Sequence, residues 1–104
     1  MALKRVPVPV RVDLEDGGRV IAVTWPDRRV DRFKAYDLRV ACPCALCVDE
    51  MSGIRTLDPD EVDPRVSAVA QAPVGRYALQ VDWSDGHRTG IYTYAGLRDG
   101  RYVP

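Results

Sequence analysis

Two segments of the chain show the same order of apolar and polar positions. Residues 20–39 read VIAVTWPDRRVDRFKAYDLR, and residues 78–98 read ALQVDWSDGHRTGIYTYAGLR. In each segment an alternating apolar run leads to Trp-x-Asp, and a second apolar run leads to Leu-Arg. Because side chains two positions apart lie on one face of a strand, each segment predicts a β-hairpin followed by a short turn or helix. We interpret the pair as a degenerate internal repeat.

The apolar positions before each tryptophan share its strand face, which is the pattern of a half-buried strand. The aligned residues are Ile21, Val23 and Trp25 in the first segment and Leu79, Val81 and Trp83 in the second. We therefore expect both tryptophans in the core rather than in a stacking or catalytic role.

The two hairpins are expected to reverse at PDRR, residues 26–29, and at SDGH, residues 84–87. The Asp-Gly pair in the second of these is a strong signal for a chain reversal. The chain's single histidine, His87, is therefore expected at or just after a tight turn.

The remaining segments complete this frame. Residues 8–14 alternate between apolar and other side chains, which predicts an N-terminal strand that ends at EDGG and pairs with residues 19–25. Residues 66–70 predict a strand that enters the second hairpin, with a short helix over residues 67–71 as the alternative. In TYAGLRDG a threonine can cap one helical turn and a glycine can end it. LDPDEVDP is typical of a solvated connecting loop.

Composition limits the classes of protein to consider. A chain of 104 residues with 15 basic and 15 acidic side chains fits one small domain with no net charge. This balance does not favour a nucleic-acid partner or an anionic membrane. The opening MALKRVPVPVRV has charge and proline where a signal peptide needs an apolar run, and no segment has the apolar length of a membrane span. We expect a cytoplasmic protein.

All three cysteines, Cys42, Cys44 and Cys47, lie within six residues. In a reducing compartment an odd number so closely spaced is not a disulfide framework, and the spacing also argues against three small buried apolar residues. Pro43 biases Cys42 away from helix, so the segment is expected to bend and let the three sulfurs converge. We predict a metal site.

A tetrahedral structural zinc takes four sulfur or nitrogen ligands, commonly as Cys3His. If the two repeats pack side by side, the turn of the second brings His87 to the cysteines that follow the first. The alternative for a lone histidine at a turn is a solvated side chain. The predicted fold is thus α+β, mainly β: one domain over residues 1–104, made of two repeated antiparallel hairpin units with short helical turns and closed by a Cys3His metal site.

Three thiolates and a neutral imidazole around a divalent cation leave one net negative charge, so nearby cations should help to keep the sulfurs deprotonated. The arginines closest in sequence to the ligands are Arg39, Arg55 and Arg88. Asp49 follows the last cysteine and is expected to orient Arg55 or to cap the neighbouring turn, with plain solvent exposure as the alternative.

The stretches LRVACPCALCVDEMSG and VGRYALQVDWSDGHRTGIYTYAGLR resemble the bacterial DUF971 family, described as gamma-butyrobetaine hydroxylase-like N-terminal domains. The resemblance covers nearly the whole chain, and its motifs are Leu-Arg, Cys-Pro-Cys-x-x-Cys, Trp-x-Asp-Gly-His and Leu-Arg. It implies a zinc ion held by three cysteines and one histidine, which fall here on Cys42, Cys44, Cys47 and His87. Related domains are fused to P-loop iron–sulfur carrier proteins.

The resemblance extends to 2-oxoglutarate-dependent, iron-dependent hydroxylases, whose chemistry needs two histidines and one carboxylate on iron. A chain with one histidine cannot supply that triad, so we expect no enzymatic activity and no small-molecule substrate. One hypothesis is a structural-zinc domain that acts as a protein-interaction or accessory module, linked to 2-oxoglutarate oxygenases or to iron–sulfur protein assembly. The alternative is that the same cysteines bind and transfer iron or an iron–sulfur cluster. A thiol redox enzyme fits less well, because its C-x-x-C would open a helix in a βαβ unit.

Overall fold

The computed structural model describes residues 7–42, 62–88 and 90–102, which form two three-stranded antiparallel sheets with a short helix after each. The first sheet has the order β1-β2-β3 and the second the order β4-β5-β6. The elements are β1 (Arg11–Glu15), β2 (Val20–Thr24), β3 (Val30–Lys34), α1 (Ala35–Val40), β4 (Ala68–Val74), β5 (Ala78–Trp83), β6 (Gly90–Thr93) and α2 (Tyr94–Asp99). The mainly β, α+β fold predicted from the sequence is confirmed.

The internal repeat is present and is longer than the sequence pattern indicated. The hairpins β2-β3 and β5-β6 are each followed by a helix, as predicted, and each is also preceded by a strand in the same sheet. The complete unit is therefore three strands and a helix, β1-β2-β3-α1 and β4-β5-β6-α2. Within the described ranges, neither helix is long and apolar enough to cross a membrane.

The N-terminal strand pairs with β2, as predicted, and the pairing is antiparallel, with Val12 opposite Val23 and Leu14 opposite Ile21. The segment before the second hairpin is the strand β4 and not the alternative helix. Between β1 and β2 the chain reverses through a short 3-10 turn, Asp16–Gly18. Gly18 of this turn lies against Ala68 of β4. A Cβ atom at Gly18 would lie 2.1 Å from the carbonyl oxygen of Ala68, so only glycine fits there.

Both tryptophans lie in the core, as predicted, with 1% of Trp25 and 2% of Trp83 exposed. The core is shared between the repeats, since the ring of Trp25 packs edge-on against Tyr94 at the start of α2. In the acidic segment, residues 57–61 lie outside the described residues. Its Val62 is buried in this core, so the segment does not run wholly through solvent as the sequence suggested.

The ends of α2 match the prediction from TYAGLRDG. The Thr93 hydroxyl accepts a hydrogen bond from the Gly96 backbone N–H at 3.0 Å, which satisfies one of the open donors of the first turn. Gly100 follows the helix with φ 75°, a left-handed conformation that glycine adopts without steric cost.

Each helix carries an arginine that pairs with the hairpin turn of the other repeat. Arg39 at the end of α1 bonds Asp85 in the second turn, with Nε to Oδ2 at 2.8 Å. Arg98 near the end of α2 bonds both carboxylate oxygens of Asp27 in the first turn, and its guanidinium lies over the Trp25 ring. The two repeats therefore pack side by side and exchange equivalent ion pairs.

We predict that Gly18→Ala destabilises the protein far more than Gly17→Ala. Both glycines have positive φ, but a Cβ atom at Gly17 meets nothing within 4 Å. Gly17→Ala should therefore cost only the left-handed backbone penalty of about 1–2 kcal/mol. Gly18→Ala should cost at least about 3 kcal/mol, because the β4 backbone must move. Denaturant unfolding of the two variants measures the difference, and equal losses would contradict the close contact with β4.

Candidate metal centre

The structure brings together the first cysteine of the cluster and the single histidine. Cys42 Sγ lies 3.1 Å from His87 Nε2, across 45 residues of sequence. Cys42 is fully buried and His87 is half-buried, so the contact lies at the edge of the core. The other two cysteines, Cys44 and Cys47, lie outside the described residues. Within residues 7–42, 62–88 and 90–102 no group of three or more potential metal ligands occurs.

Local hydrogen bonds position Cys42 at the end of α1. The backbone N–H groups of Ala41 and Cys42 donate to Asp37 and Arg39, which continues the helical winding for two residues beyond Val40. This winding carries the Cys42 side chain into the interior directly after the helix. Pro43 comes next in sequence and cannot donate a backbone hydrogen bond, which fits an end of the helix at this point.

The turn of the second hairpin positions His87. The backbone N–H of Trp83 donates to the His87 carbonyl at 2.9 Å and closes the turn. Gly86 takes a φ of 87° within this turn. The His87 N–H in turn donates to Asp85 Oδ1 at 3.0 Å. The expectation that His87 follows a tight turn is confirmed, and the turn faces the end of α1.

The predicted neighbouring cations differ in their placement. Arg39 is buried and bonds the Asp85 carboxylate, which also holds the His87 backbone. Burial alone would raise the pKa of Asp85, but the His87 N–H and the Arg39 guanidinium outweigh it and hold this pKa below its ordinary value. Arg88 is exposed, and its carbonyl accepts a hydrogen bond from the Gln80 side chain. Arg55 and Asp49 lie outside the described residues.

Tyr92 is a neighbour of the site that sequence reasoning did not identify. Its fully buried hydroxyl donates to the Leu38 carbonyl at 2.5 Å, next to Arg39 in α1. Burial and the adjacent Cys42 sulfur raise the pKa of Tyr92 well above its ordinary value, so the hydroxyl remains a neutral donor. The available signal was the alternation of GIYTY, which places Tyr92 on the same strand face as Gly90 and Tyr94.

The two tryptophans differ in their hydrogen bonding. Trp25 Nε1 donates to Asp31 Oδ2 at 2.9 Å, whereas Trp83 Nε1 is buried and meets no acceptor in the part of the chain that the structure describes. Asp31 lies opposite Val23 in the first sheet, and Gly90 takes the equivalent place opposite Val81 in the second. A Cβ atom at Gly90 would lie 3.2 Å from Trp83 Nε1. Among the described residues, the second repeat therefore has no side chain in the place that Asp31 takes beside Trp25.

The chemistry of the Cys42 and His87 pair fits a zinc ligand set. Two ligands of one tetrahedral zinc, with Zn–S near 2.3 Å and Zn–N near 2.0 Å, lie roughly 3.5 Å apart. The observed separation of Cys42 Sγ and His87 Nε2, 3.1 Å, is slightly shorter than that distance. The Cys42 sulfur and the His87 nitrogen need to move apart by only a few tenths of an ångström to accept an ion between them. Cys44 and Cys47 follow Cys42 closely enough in sequence to supply two further sulfurs.

Comparison with known proteins identifies the family. Residues 12–98 match the model of the family described as gamma-butyrobetaine hydroxylase-like, N-terminal, and the chain belongs to this family. The chain is 37% identical to a protein of unknown function of the DUF971 family from Acidithiobacillus ferrooxidans, known from a crystal structure. That match covers 88% of this chain and 89% of the other, with a TM-score of 0.64. The family resemblance proposed from the sequence is confirmed.

A structure solved by NMR has the same fold, with a TM-score of 0.73 at 24% identity over 95% of this chain and 72% of the other. No curated protein matches the chain significantly.

We predict that Tyr92→Phe lowers the free energy of unfolding by about 1–3 kcal/mol, because the buried Leu38 carbonyl loses its donor. Tyr77→Phe is the matched control, since that ring is 59% exposed, and it should change stability by less than about 0.5 kcal/mol. Urea unfolding of both variants tests this. If Tyr92→Phe leaves the free energy of unfolding unchanged, the hydroxyl does not stabilise the end of α1.

Proposed function

We propose that this protein is a non-catalytic metal-binding domain in which zinc, held by Cys42, Cys44, Cys47 and His87, closes the fold. The domain then acts as a protein-interaction or accessory module, linked to 2-oxoglutarate oxygenases or to iron–sulfur protein assembly. The observation that carries the proposal is the 3.1 Å contact between Cys42 and His87. It joins a buried thiol to an imidazole from the other repeat.

The position of the contact supports a structural role for the metal. Cys42 ends the first repeat and His87 lies in the turn of the second, so an ion shared by them joins the two halves of the fold. The unfolded chain has no preformed site, and binding energy therefore adds directly to the stability of the folded state. A domain of this size, with strands of four to seven residues, benefits from such a closure.

The ligand set also supports the absence of catalysis. Three thiolates and one imidazole complete a tetrahedral zinc, and a catalytic zinc instead keeps one position open for water or substrate. The single histidine of the chain leaves none for an oxygenase iron site. We propose that the partner is a protein, because the balanced charge of the chain favours neither nucleic acid nor an anionic membrane. We place this interaction in the cytoplasm.

A second candidate is the binding and transfer of iron or an iron–sulfur cluster by the same cysteines. The observation in its favour is that His87 is only half-buried and lies on a turn, where a ligand can leave more easily than from a strand. Zinc–thiolate protein is colourless and an iron–sulfur protein is brown. Visible absorbance and elemental analysis of protein purified with and without oxygen therefore separate the two candidates.

We predict that a chelator destabilises the wild-type protein and not His87→Ala. Removal of zinc should lower the wild-type melting temperature by about 10 °C or more, which corresponds to a loss of roughly 2 kcal/mol in a domain of this length. His87→Ala should melt early and lose zinc, while its core still forms around Trp25 and Trp83. Thermal unfolding with and without chelator measures both effects.

Arg29→Ala is the matched control, since Arg29 closes the first hairpin turn as His87 closes the second. It should retain the full response to chelator. If the chelator shifts wild type no more than His87→Ala, then His87 is not a ligand.

A further inference from the structure

The two hairpin turns are built alike around an aspartate two residues after the tryptophan. In the first turn Asp27 accepts from the Arg29 N–H at 3.2 Å and pairs with Arg98. In the second turn Asp85 accepts from the His87 N–H at 3.0 Å and pairs with Arg39. The backbone N–H of the tryptophan also closes each turn: that of Trp25 donates to the Arg29 carbonyl, and that of Trp83 donates to the His87 carbonyl. His87 therefore occupies the position that Arg29 occupies in the other repeat.

Within the described residues, it is the second turn that is connected to the candidate metal centre. Arg39 lies three residues before Cys42, so its bond to Asp85 links the helix that carries one ligand to the turn that carries the other. The Arg39 side chain is 9% exposed, whereas that of Arg98 is 24% exposed. An ion pair in the less solvated position is less screened and holds its geometry more firmly.

We propose that Asp85 is the positioning residue of the metal centre, whose carboxylate fixes the His87 backbone so that the imidazole faces Cys42 and slows the loss of the ion. This inference rests on the proposed metal-binding function. Oδ1 of Asp85 accepts from the His87 N–H and Oδ2 accepts from Arg39, so both carboxylate oxygens are engaged in holding the turn against α1. A ligand ordered before metal arrives costs less entropy on binding and returns quickly after a transient dissociation.

The hydrogen bond from the His87 N–H to Asp85 also controls how easily the metal can leave the site. With Asp85 in place the His87 N–H is held and the imidazole stays next to Cys42. Without Asp85 the turn would keep the backbone bond from Trp83 to the His87 carbonyl but lose the constraint on the His87 N–H, so the imidazole should leave Cys42 more often. Asp85 therefore determines whether the centre retains its metal or exchanges it.

The test compares zinc release from Asp85→Ala and Asp27→Ala in the full-length, zinc-loaded protein, using a colorimetric chelator in excess. Outer partners of metal ligands typically change metal affinity 10- to 100-fold, so Asp85→Ala should release zinc at least about ten times faster than wild type. Asp27→Ala removes the equivalent turn bond away from the centre and should stay within about twofold. Equal acceleration in the two variants would overturn the proposal, because it would show a general loss of stability.

Two further measurements keep the test decisive. If Asp85→Ala does not fold, Asp85→Asn retains an oxygen for the His87 N–H but loses the charge that Arg39 holds, and it should still release zinc faster than Asp27→Asn. In metal-free protein, amide hydrogen exchange by NMR should accelerate at His87 in Asp85→Ala and at Arg29 in Asp27→Ala.

These outcomes distinguish the positioning role of Asp85 from the proposed metal-binding function. Unchanged exchange at His87 in Asp85→Ala overturns the positioning role whatever the metal does. Wild-type protein that binds no zinc overturns the proposed function, even where the amide exchange at His87 follows Asp85.

Discussion

Neither three-stranded sheet can bury its apolar face by itself, and the packing of one repeat on the other follows from that constraint. The shared core places Trp25 against Tyr94 of the other repeat, and it places the Tyr92 hydroxyl under the end of α1. The exchanged ion pairs then fix the orientation of the repeats. Among the described residues, the Cys42–His87 contact and the Arg39–Asp85 ion pair both cross this same boundary, so this part of the candidate metal centre depends on the pairing of the repeats.

Local signals in the sequence were sufficient to predict the two hairpins, β1 and α2, and left the choice of strand or helix open for β4. Period-two alternation predicted the hairpins and β1, and the capping threonine predicted α2, because these patterns depend on residues near one another in the chain. The cluster of three cysteines and the single histidine predicted a candidate ligand set from residue type and spacing, and this set stays a prediction. The side-by-side packing of the repeats was enough to expect His87 beside Cys42, and the structure has this contact.

Most features that sequence reasoning missed depend on contacts between the two repeats. Gly18 is constrained by the Ala68 carbonyl, and Tyr92 matters because its hydroxyl reaches Leu38, which is 54 residues away. Asp85 was assigned only to a turn, since its bond to Arg39 appears once the sheets are packed. Val62 was placed in solvent because its acidic neighbours dominate the local composition, while its own burial depends on the core beneath it.

The placement of Cys42 and His87 in different repeats has a consequence for the order of events during synthesis. A ribosome delivers the first repeat and its cysteines before the second hairpin exists, and the partner for Cys42 lies 45 residues further on. An ion captured by the cysteines of the nascent chain would be held by sulfur alone and would remain exchangeable. Under the proposed function, completion of the second repeat would then be the step that fixes which metal the newly made protein retains.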